Sequence, residues 1–235
     1  MVVINPLLDF CNLQTQFAQD QRICIENFWQ HESAQNITHH LAERVQFNYA
    51  FSTDGVYHEK TQQELMSLSP DQRSMMQKKL MQLASEGVGF WYGRKMIRPQ
   101  PEDNDLLQQV HRLLNSEQVL QHIRDISGYD DIICASAQAT RYLPGSYLTR
   151  HRDVVAAEGR RLAYVMSFTE SWHPDWGGLL QFYEDNGTPR DAWAPRFNSM
   201  VLFDVRHVHA VTYVAPYALK PRLSITGWFR TVPLI

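Results

Sequence analysis

The seven residues from Arg222 to Trp228, RLSITGW, decide the fold, because their character alternates strictly. A strand formed by this stretch would place successive side chains on opposite faces. An arginine beside hydroxyls on an inward face is costly to bury unless a partner satisfies it. The stretch therefore predicts a strand whose arginine binds an anion such as a dicarboxylate, or pairs with an internal acid such as Asp204. The inward face would carry Arg222, Ser224, Thr226 and Trp228, and the outward face Leu223 and Ile225.

The chain from residue 131 to residue 230 has the pattern of short strands separated by turn residues. Turn-forming groups such as Pro144-Gly145 and Glu158-Gly159 lie between the apolar runs. Closely spaced short strands with few helical patterns favour a sandwich or a jelly roll. The predicted strands are 131–140, 147–153, 162–169, 179–184, 199–205, 208–214 and 222–230.

The chain before residue 130 has mostly helical spacing. Apolar residues recur on one helical face from Ala34 to Val45, and Ser69-Pro70 has the form of an N-cap followed by proline at the first helical position. The segment 22–29 favours a strand. We therefore expect a single α+β domain over 1–235, with 1–130 as a helical support layer and 131–230 as the β core.

Composition excludes several classes of protein. The net charge is 22 minus 25, or −3, which argues against a nucleic-acid coat or a polybasic membrane binder. The three cysteines form no close pair, so a disulfide framework or a structural zinc site is not expected. No segment resembles a signal peptide or a membrane helix. We expect a cytoplasmic protein without membrane or direct nucleic-acid binding.

Positive charge is concentrated in the C-terminal part. Residues 141–230 hold 11 Lys+Arg and 8 Asp+Glu, whereas residues 1–140 hold 11 and 17. Such a cluster favours an anionic ligand nearby, and a solvated face is the competing explanation. Its four neighbouring arginines are Arg150, Arg152, Arg160 and Arg161.

The tripeptide His151-Arg152-Asp153 is a candidate metal site. Residues i and i+2 of a strand point to the same side, so the imidazole and the carboxylate can converge. A structural His–Asp hydrogen bond is the common alternative for an isolated pair of this kind. A second histidine, His209, follows in the strand-like run 208–214, and two histidines with one carboxylate can form the facial triad of non-haem Fe(II) oxygenases.

His207 competes with His209 for the third position. Both histidines have the same parity in an extended segment, so alternation does not separate them. We assign His207 to the surface or to the surroundings of the metal, because the residues that follow His209 match a known motif and those that follow His207 do not.

Several motifs together resemble the prolyl-hydroxylase branch of the Fe(II)/2-oxoglutarate oxygenases, and most closely the ribosomal-protein prolyl hydroxylases and their bacterial relatives. The likeness covers about 130–230. In that family the distal histidine is followed by x-Val, which His209-Ala210-Val211 satisfies and His207-Val208-His209 does not. The matching stretches are Tyr142-Leu143-Pro144-Gly145, Tyr147, His151-x-Asp153, Trp176-Gly177-Gly178, Phe203-x-Val205, His209-Ala210-Val211 and Arg222 to Phe229.

The resemblance implies a double-stranded β-helix in which His151, Asp153 and His209 bind Fe(II). It implies that Arg222 pairs with the distal carboxylate of 2-oxoglutarate, with Thr226 and Tyr142 assisting and Trp228 walling the pocket. Some relatives have a tyrosine on the strand that here spans 162–169. We expect Phe168 at that position and no hydroxyl there, while Gly177-Gly178 is expected to be structural.

The same resemblance implies hydroxylation of a prolyl residue in a polypeptide, such as a ribosomal protein or a translation factor. Fe(II), 2-oxoglutarate and O₂ are the expected cofactors, and ascorbate is a further candidate. The segments Val154–Arg160 and Ser52–Gln62 are candidate peptide-holding loops. Three alternatives remain open at this point: the same chemistry on a free amino acid or small molecule, a non-catalytic metal or anion sensor, and a zinc hydrolase. The oligomeric state is not predicted.

Overall fold

A single curled antiparallel sheet dominates the computed structural model, which describes residues 2–100 and 102–234. The strand order is β1-β10-β7-β12-β5-β4-β6-β11-β8-β9, with the β2–β3 hairpin attached to β4. The curl brings β6 and β11 across from β12, so that these strands line one cavity. The strands are β1 Arg22–Glu26, β2 Asn48–Thr53, β3 Val56–Lys60, β4 Phe90–Ile97, β5 Cys134–Tyr142, β6 Tyr147–His151, β7 Arg160–Ser167, β8 Leu180–Tyr183, β9 Pro189–Trp193, β10 Ser199–Asp204, β11 Val208–Val211 and β12 Arg222–Arg230.

Six helices in the described residues come from the N-terminal part of the chain, where helical spacing was expected. The predicted cap is present: the Ser69 hydroxyl accepts the N–H of Gln72, and Pro70 opens the helix. The predicted apolar face is also present, because Ala34, Ile37 and Leu41 are completely buried. The helices are α1 Phe10–Asp20, α2 His31–Glu43, α3 Gln62–Met66, α4 Pro70–Ser85, α5 Leu106–Leu114 and α6 Glu117–Ser127.

The core lies between the helices and the convex face of the sheet. The outward residues of β12, Leu223 and Ile225, pack in the same cluster as Ile37 of α2 and Val110 of α5. Each of these four side chains is at most 4% exposed. Burial of this apolar layer stabilises the sheet and leaves its concave face for polar residues.

The N-terminal part is more than a helical layer, which corrects the expected arrangement. It contributes four strands, and β4 lies inside the sheet, next to β5 and β6. The expected loop Ser52–Gln62 is largely the β2–β3 hairpin, turning at Asp54-Gly55, where both residues have positive φ. The two parts of the chain therefore form one sheet.

The expected loop at Val154–Arg160 is a short 3₁₀ turn, Ala156–Glu158, that leads into β7. The three cysteines are free; Cys11 is exposed, and Cys24 and Cys134 are half-buried. Among the described residues, every helix is too short or too polar to cross a membrane.

Candidate active site

Two histidines from neighbouring strands face one another across the concave side of the sheet. His151 ends β6 and His209 lies in β11, and the antiparallel register pairs them directly. Their ring centroids are 4.2 Å apart. With Asp153, each offers one ligand atom within 4.8 Å of the other two. The register of two strands thus brings together residues that are 58 positions apart in the sequence.

Both imidazoles are oriented by main-chain carbonyls. The Nδ1 atom of His151 lies 2.9 Å from the carbonyl oxygen of Thr149, and the Nδ1 atom of His209 lies 3.0 Å from that of His207. A carbonyl oxygen only accepts, so each Nδ1 carries the proton. The remaining nitrogens, both Nε2, point to Asp153, at 3.6 Å from Oδ1 for His151 and 3.4 Å from Oδ2 for His209. This tautomer leaves Nε2 of each ring free to bind a metal, while Nδ1–H is held by a carbonyl.

Asp153 is held in place by the main chain that precedes His209. Its own N–H donates to the carbonyl of Val205 at 3.1 Å, and its residue is 7% exposed. Burial favours a higher pKa for this carboxyl, but the hydrogen bonds and charges of His151 and His209 lower its pKa far below the usual range. Burial likewise favours a lower pKa for His151, and the Asp153 carboxylate raises it. The Asp153 carboxyl is therefore an anionic oxygen donor between two imidazoles.

Only one of the four clustered arginines faces this site. Arg160 lies with its guanidinium carbon 3.5 Å from the centroid of the Trp228 ring and its Nη1 3.7 Å from Oδ1 of Asp153. Its Nε donates to Glu158 at 3.0 Å. Arg152 pairs with Asp185 and Arg161 with Asp131 on the surface. The predicted positive cluster is thus mostly a solvated face, with Arg160 as its contribution to the site.

His207 has a different environment from His209. Its Nε2 lies 2.9 Å from the carbonyl oxygen of Asp20, the last residue of α1, and burial lowers its pKa. It belongs to the turn before β11, so strand parity does not apply to it. Its side chain is outside the metal cluster, although its carbonyl orients the ring of His209.

Arg222 is a buried cation without an acidic partner. It is 2% exposed, and among the described residues no carboxylate forms an ion pair with it. Its Nε is buried without a hydrogen-bond partner, and burial lowers its pKa. Asp204, the internal acid considered above, instead binds Arg206 at 2.8 Å and the hydroxyl of Tyr129. An anion is therefore needed to satisfy this guanidinium.

The concave face around Arg222 has other unsatisfied polar atoms. Oγ of Ser224, Oε1 of Gln138 and Nε1 of Trp228 are buried without partners. Gln138 also donates through Nε2 to the hydroxyl of Thr226 at 3.2 Å. The predicted alternation of β12 is present, since Arg222, Thr226 and Trp228 line one cavity of about 210 Å³ together with the three metal-ligand candidates.

Tyr142 faces this cavity, whereas Phe168 does not. Tyr142 lines it and lies opposite Arg222 on β5. Phe168 instead packs in the core between sheet and helices, and its neighbour Ser167 lies opposite Ser224 on the facing strand. Tyr164, on the same parity as Phe168, donates to the carbonyl of Ser136. Phe168 therefore contributes no aromatic ring to the cavity.

Sequence reasoning missed the contribution of β4 to the cavity. Phe90 and Tyr92 line it, and the ring of Tyr92 is stacked on Tyr142 at 4.9 Å. The alternation of Phe90, Tyr92 and Arg94 was a usable signal for a strand, but its paired residues on β5 lie 40 to 48 positions further on. The wall of the site on this side thus comes from the N-terminal part.

The residues present fit the metal and the dicarboxylate that the motifs imply. Two neutral imidazoles and one carboxylate are hard-to-borderline donors suited to Fe(II), and the described cluster contains no thiolate. The unpartnered guanidinium in the same cavity matches a carboxylate in a two-point contact.

Fold and site together define a jelly-roll domain with a His-Asp-His cluster of the kind that holds non-haem iron. Residues 137–230, which are 94 of the 235 residues of the chain, match the model of the 2OG-Fe(II) oxygenase superfamily. Fe(II), 2-oxoglutarate and O₂ are the cofactors of this family of dioxygenases.

A curated relative shares part of this sequence. The chain is similar to the prolyl 3-hydroxylase OGFOD1 of Xenopus laevis, with 38% identity over 106 residues, which is 42% of this chain and 19% of that protein. The matched region spans about a fifth of the length of the curated relatives.

Solved structures share the fold. A prolyl-4-hydroxylase from Pseudomonas putida matches with a TM-score of 0.65 at 18% identity, covering 96% of this chain and 100% of that one. A prolyl hydroxylase from Trichoplax adhaerens, solved with a peptide fragment of the hypoxia inducible factor oxygen degradation domain, matches with a TM-score of 0.61 at 16% identity, covering 94% and 89%. The jelly-roll prediction is confirmed.

Proposed function

We propose that this chain is an Fe(II)- and 2-oxoglutarate-dependent dioxygenase that hydroxylates a prolyl residue in a polypeptide. A ribosomal protein or a translation factor in the cytoplasm is the substrate we favour. One observation carries the proposal: the three metal-ligand candidates line the same cavity as Arg222, a buried guanidinium that has no carboxylate partner in the described residues.

The proposal assigns a separate task to each group. His151, Asp153 and His209 hold Fe(II) through Nε2 and carboxylate oxygens, and leave positions open for ligands. Arg222 binds the distal carboxylate of 2-oxoglutarate, and Thr226 adds a hydrogen bond. With O₂, the bound iron supplies the oxidising power, as 2-oxoglutarate is converted to succinate and CO₂ and one oxygen atom enters a substrate C–H bond.

Apolar side chains form part of the cavity wall and limit the amount of water around the reacting groups. The apolar lining includes Phe90, Leu180, Phe203 and Val211. Tyr142 lies over the guanidinium of Arg222, at 5.2 Å from ring centre to guanidinium carbon, and Tyr92 stacks behind it. This enclosure strengthens the contact between Arg222 and a carboxylate, because the local dielectric is low.

A polypeptide substrate is favoured by the named relatives. The Xenopus protein is a prolyl 3-hydroxylase, and the Trichoplax enzyme was solved with a peptide. His151 keeps 30% of its side chain exposed, so the metal position is accessible from outside the sheet. A prolyl side chain presented on an extended peptide can reach such a position.

Succinate release in the presence of Fe(II), 2-oxoglutarate and ascorbate tests the enzyme. Wild type should release succinate above a His151→Ala variant, and a His207→Ala variant should behave as wild type. Equal succinate from wild type and His151→Ala would leave only a sensor of metal or anion. Activity retained with Zn(II) and without 2-oxoglutarate would indicate a hydrolase.

Mass spectrometry of products tests the substrate class. Proline-containing peptides from ribosomal proteins and free proline are incubated separately with the Fe(II)-loaded protein. We expect the gain of one oxygen atom on a prolyl residue of a peptide. A product formed only from the free amino acid would refute the polypeptide assignment and leave the dioxygenase assignment intact.

A further inference from the structure

The central strand β4 is paired on one side along its length but has a free edge on the other. On one side Gly93–Ile97 pairs with β5. On the other side β2 covers only Trp91–Arg94, because β2 begins at Asn48. Within residues 2–100 and 102–234, no strand pairs with Lys95–Ile97 on that side. This leaves about 10 Å of unpaired strand edge, where main-chain groups can accept another strand.

A groove of about 870 Å³ opens along this edge. Lys95, Met96 and Ile97 form its floor at the sheet, and Arg44 at the end of α2 and Leu107 in α5 lie on its sides. We call this feature the edge groove. Met96 is 36% exposed there, although β4 lies inside the sheet.

The edge groove has an excess of unpaired positive charge. Arg44, Lys95 and Arg98 are exposed, and among the described residues none of them forms an ion pair. The nearby acids are mostly engaged: Glu59 binds Arg94 at 3.1 Å, and Asp105 binds His40 at 3.1 Å. Asp103 accepts the N–H of Asp105 and is the remaining carboxylate. An acidic ligand is therefore favoured over a neutral or basic one.

The edge groove is continuous with the wall of the metal cavity. Tyr57 lines the groove, and its ring centroid lies 6.0 Å from that of Phe90, which lines the cavity. Arg94, in the groove, lies 4.9 Å over the Tyr57 ring. Tyr92 of the cavity precedes Arg94 by two residues on the same face of β4, a separation of about 7 Å. A chain in the groove is therefore within a few residues of the metal position.

We propose that the edge groove binds an acidic, extended segment of the polypeptide substrate, which adds as a strand to the free edge of β4 beside the target residue. The proposal rests on the proposed function for the identity of the ligand as substrate. A peptide matches this surface because it satisfies the main-chain groups of the free edge, which a nucleic acid does not. The three cations add selectivity for acidic side chains and discourage pairing with basic segments.

Selection from a peptide pool tests this inference without turnover. The probe is a random pool of peptides of about eleven residues with a fixed central proline, long enough to pass from the cavity to the edge groove. The tagged protein is loaded with Mn(II) and 2-oxoglutarate. A groove variant carries Arg44→Gln, Lys95→Gln and Arg98→Gln, and a control variant loses the same charge elsewhere through Arg73→Gln, Lys78→Gln and Lys220→Gln. Circular dichroism and 2-oxoglutarate binding verify that both variants are folded.

We expect wild type and control variant to retain peptides enriched in Asp and Glu on one side of the proline. The groove variant should lose that enrichment and bind the recovered peptide about tenfold more weakly, as expected for three exposed charges. N-methylation of every second residue in that peptide can be done in two alternate sets. Only one set should weaken binding, because only the N–H groups on one edge of an added strand form hydrogen bonds with β4.

Four results would overturn the inference. The first is the same acid content in the peptides retained by wild type and groove variant, and the second is an equal loss of acidic enrichment in the control variant. The third is failure of the wild type to retain any peptide. The fourth is tighter binding of a polyuridylate oligonucleotide than of peptide, with the oligonucleotide binding abolished in the groove variant. Peptide retention does not depend on catalysis. An absent succinate signal with intact selection would therefore refute only the proposed function.

Discussion

Tyr142 and Arg222 are directly opposite each other on β5 and β12, and the guanidinium carbon of Arg222 lies 5.2 Å from the centre of the Tyr142 ring. Burial raises the pKa of Tyr142 well above its ordinary value, so the ring remains a neutral phenol beside the cation. The ring offers its π face to a guanidinium that has no carboxylate partner in the described chain. The pair thus keeps an anion-binding group in place before the anion arrives.

Replacing Arg222 with methionine should separate stability from ligand binding. Arg222→Met removes a buried, unpaired charge and keeps most of the volume, so the free energy of unfolding without 2-oxoglutarate should stay equal or rise by about 1–3 kcal/mol. Binding of 2-oxoglutarate to the Mn(II)-loaded protein should weaken by about 100-fold or more, because a two-point charged contact is lost. Urea unfolding and calorimetry measure the two effects. Unchanged 2-oxoglutarate affinity would exclude Arg222 as the anchor.

Removing the side chain of His209 should abolish metal binding, whereas removing that of His207 should leave it nearly unchanged. His209→Ala deletes a ligand and should abolish stoichiometric binding of Mn(II) or Co(II). His207→Ala keeps the main-chain carbonyl that orients His209, so metal affinity should change less than about threefold. Metal titration with calorimetry measures both. Strong loss in His207→Ala with binding retained in His209→Ala would reverse the assignment.

The Asp204 carboxylate should make stability depend on pH. Burial favours a higher pKa for Asp204, but Arg206 and Tyr129 lower it below the ordinary value. A depressed pKa in the folded state adds stability above the unfolded value of about 3.9, and this stability is lost as the pH falls through the folded value. Asp204→Asn should therefore destabilise by about 1–3 kcal/mol at pH 6 and by less below about pH 4. Urea unfolding across this range measures the difference, which would be constant if the ion pair contributed nothing.

Alanine at Gly178 should disturb the Arg222 side chain. Gly178 has φ +62°, and an added Cβ would lie 3.2 Å from Cδ of Arg222 and 3.1 Å from the Trp172 ring. Gly178→Ala should destabilise by about 1–3 kcal/mol and weaken 2-oxoglutarate binding. Gly55→Ala is the matched control, because it also has positive φ but no atom within 4 Å. If both variants bind 2-oxoglutarate as wild type does, the contact with Arg222 is irrelevant.

Sequence patterns predicted the parts of the fold that depend on local periodicity. The strand at 222–230 and the helix after Ser69 follow from alternation and capping, which act within a few residues. The strands β2 to β4 were missed because their apolar residues form a small aromatic cluster, with Phe51 and Trp91 on one face and polar residues interspersed. These strands pair with residues that are distant in the sequence, and a pattern within a few consecutive residues does not indicate such pairing.

The same distinction applies to the site. His151 and Asp153 are i and i+2 neighbours, so one strand is enough to bring them together. Gln138 enters the site only when the sheet curls, and nothing near it in the sequence indicates this. The arginine cluster favoured an anionic ligand nearby, but the sequence did not indicate that Arg160 would be the member to approach Asp153. Whether Asp204 or a ligand satisfies Arg222 was undecidable from residue types, because Arg206 and Tyr129 engage Asp204 only in the folded chain.

The carbonyl oxygens of Thr149 and His207 steer the two imidazoles, and a carbonyl belongs to every amino acid. No single substitution at either position deletes it. The orientation of both rings therefore depends on the path of the main chain and does not depend on the side chains at these two positions. Descendants of this chain can exchange the rim of the cavity for a new substrate while the metal-facing nitrogens keep their direction.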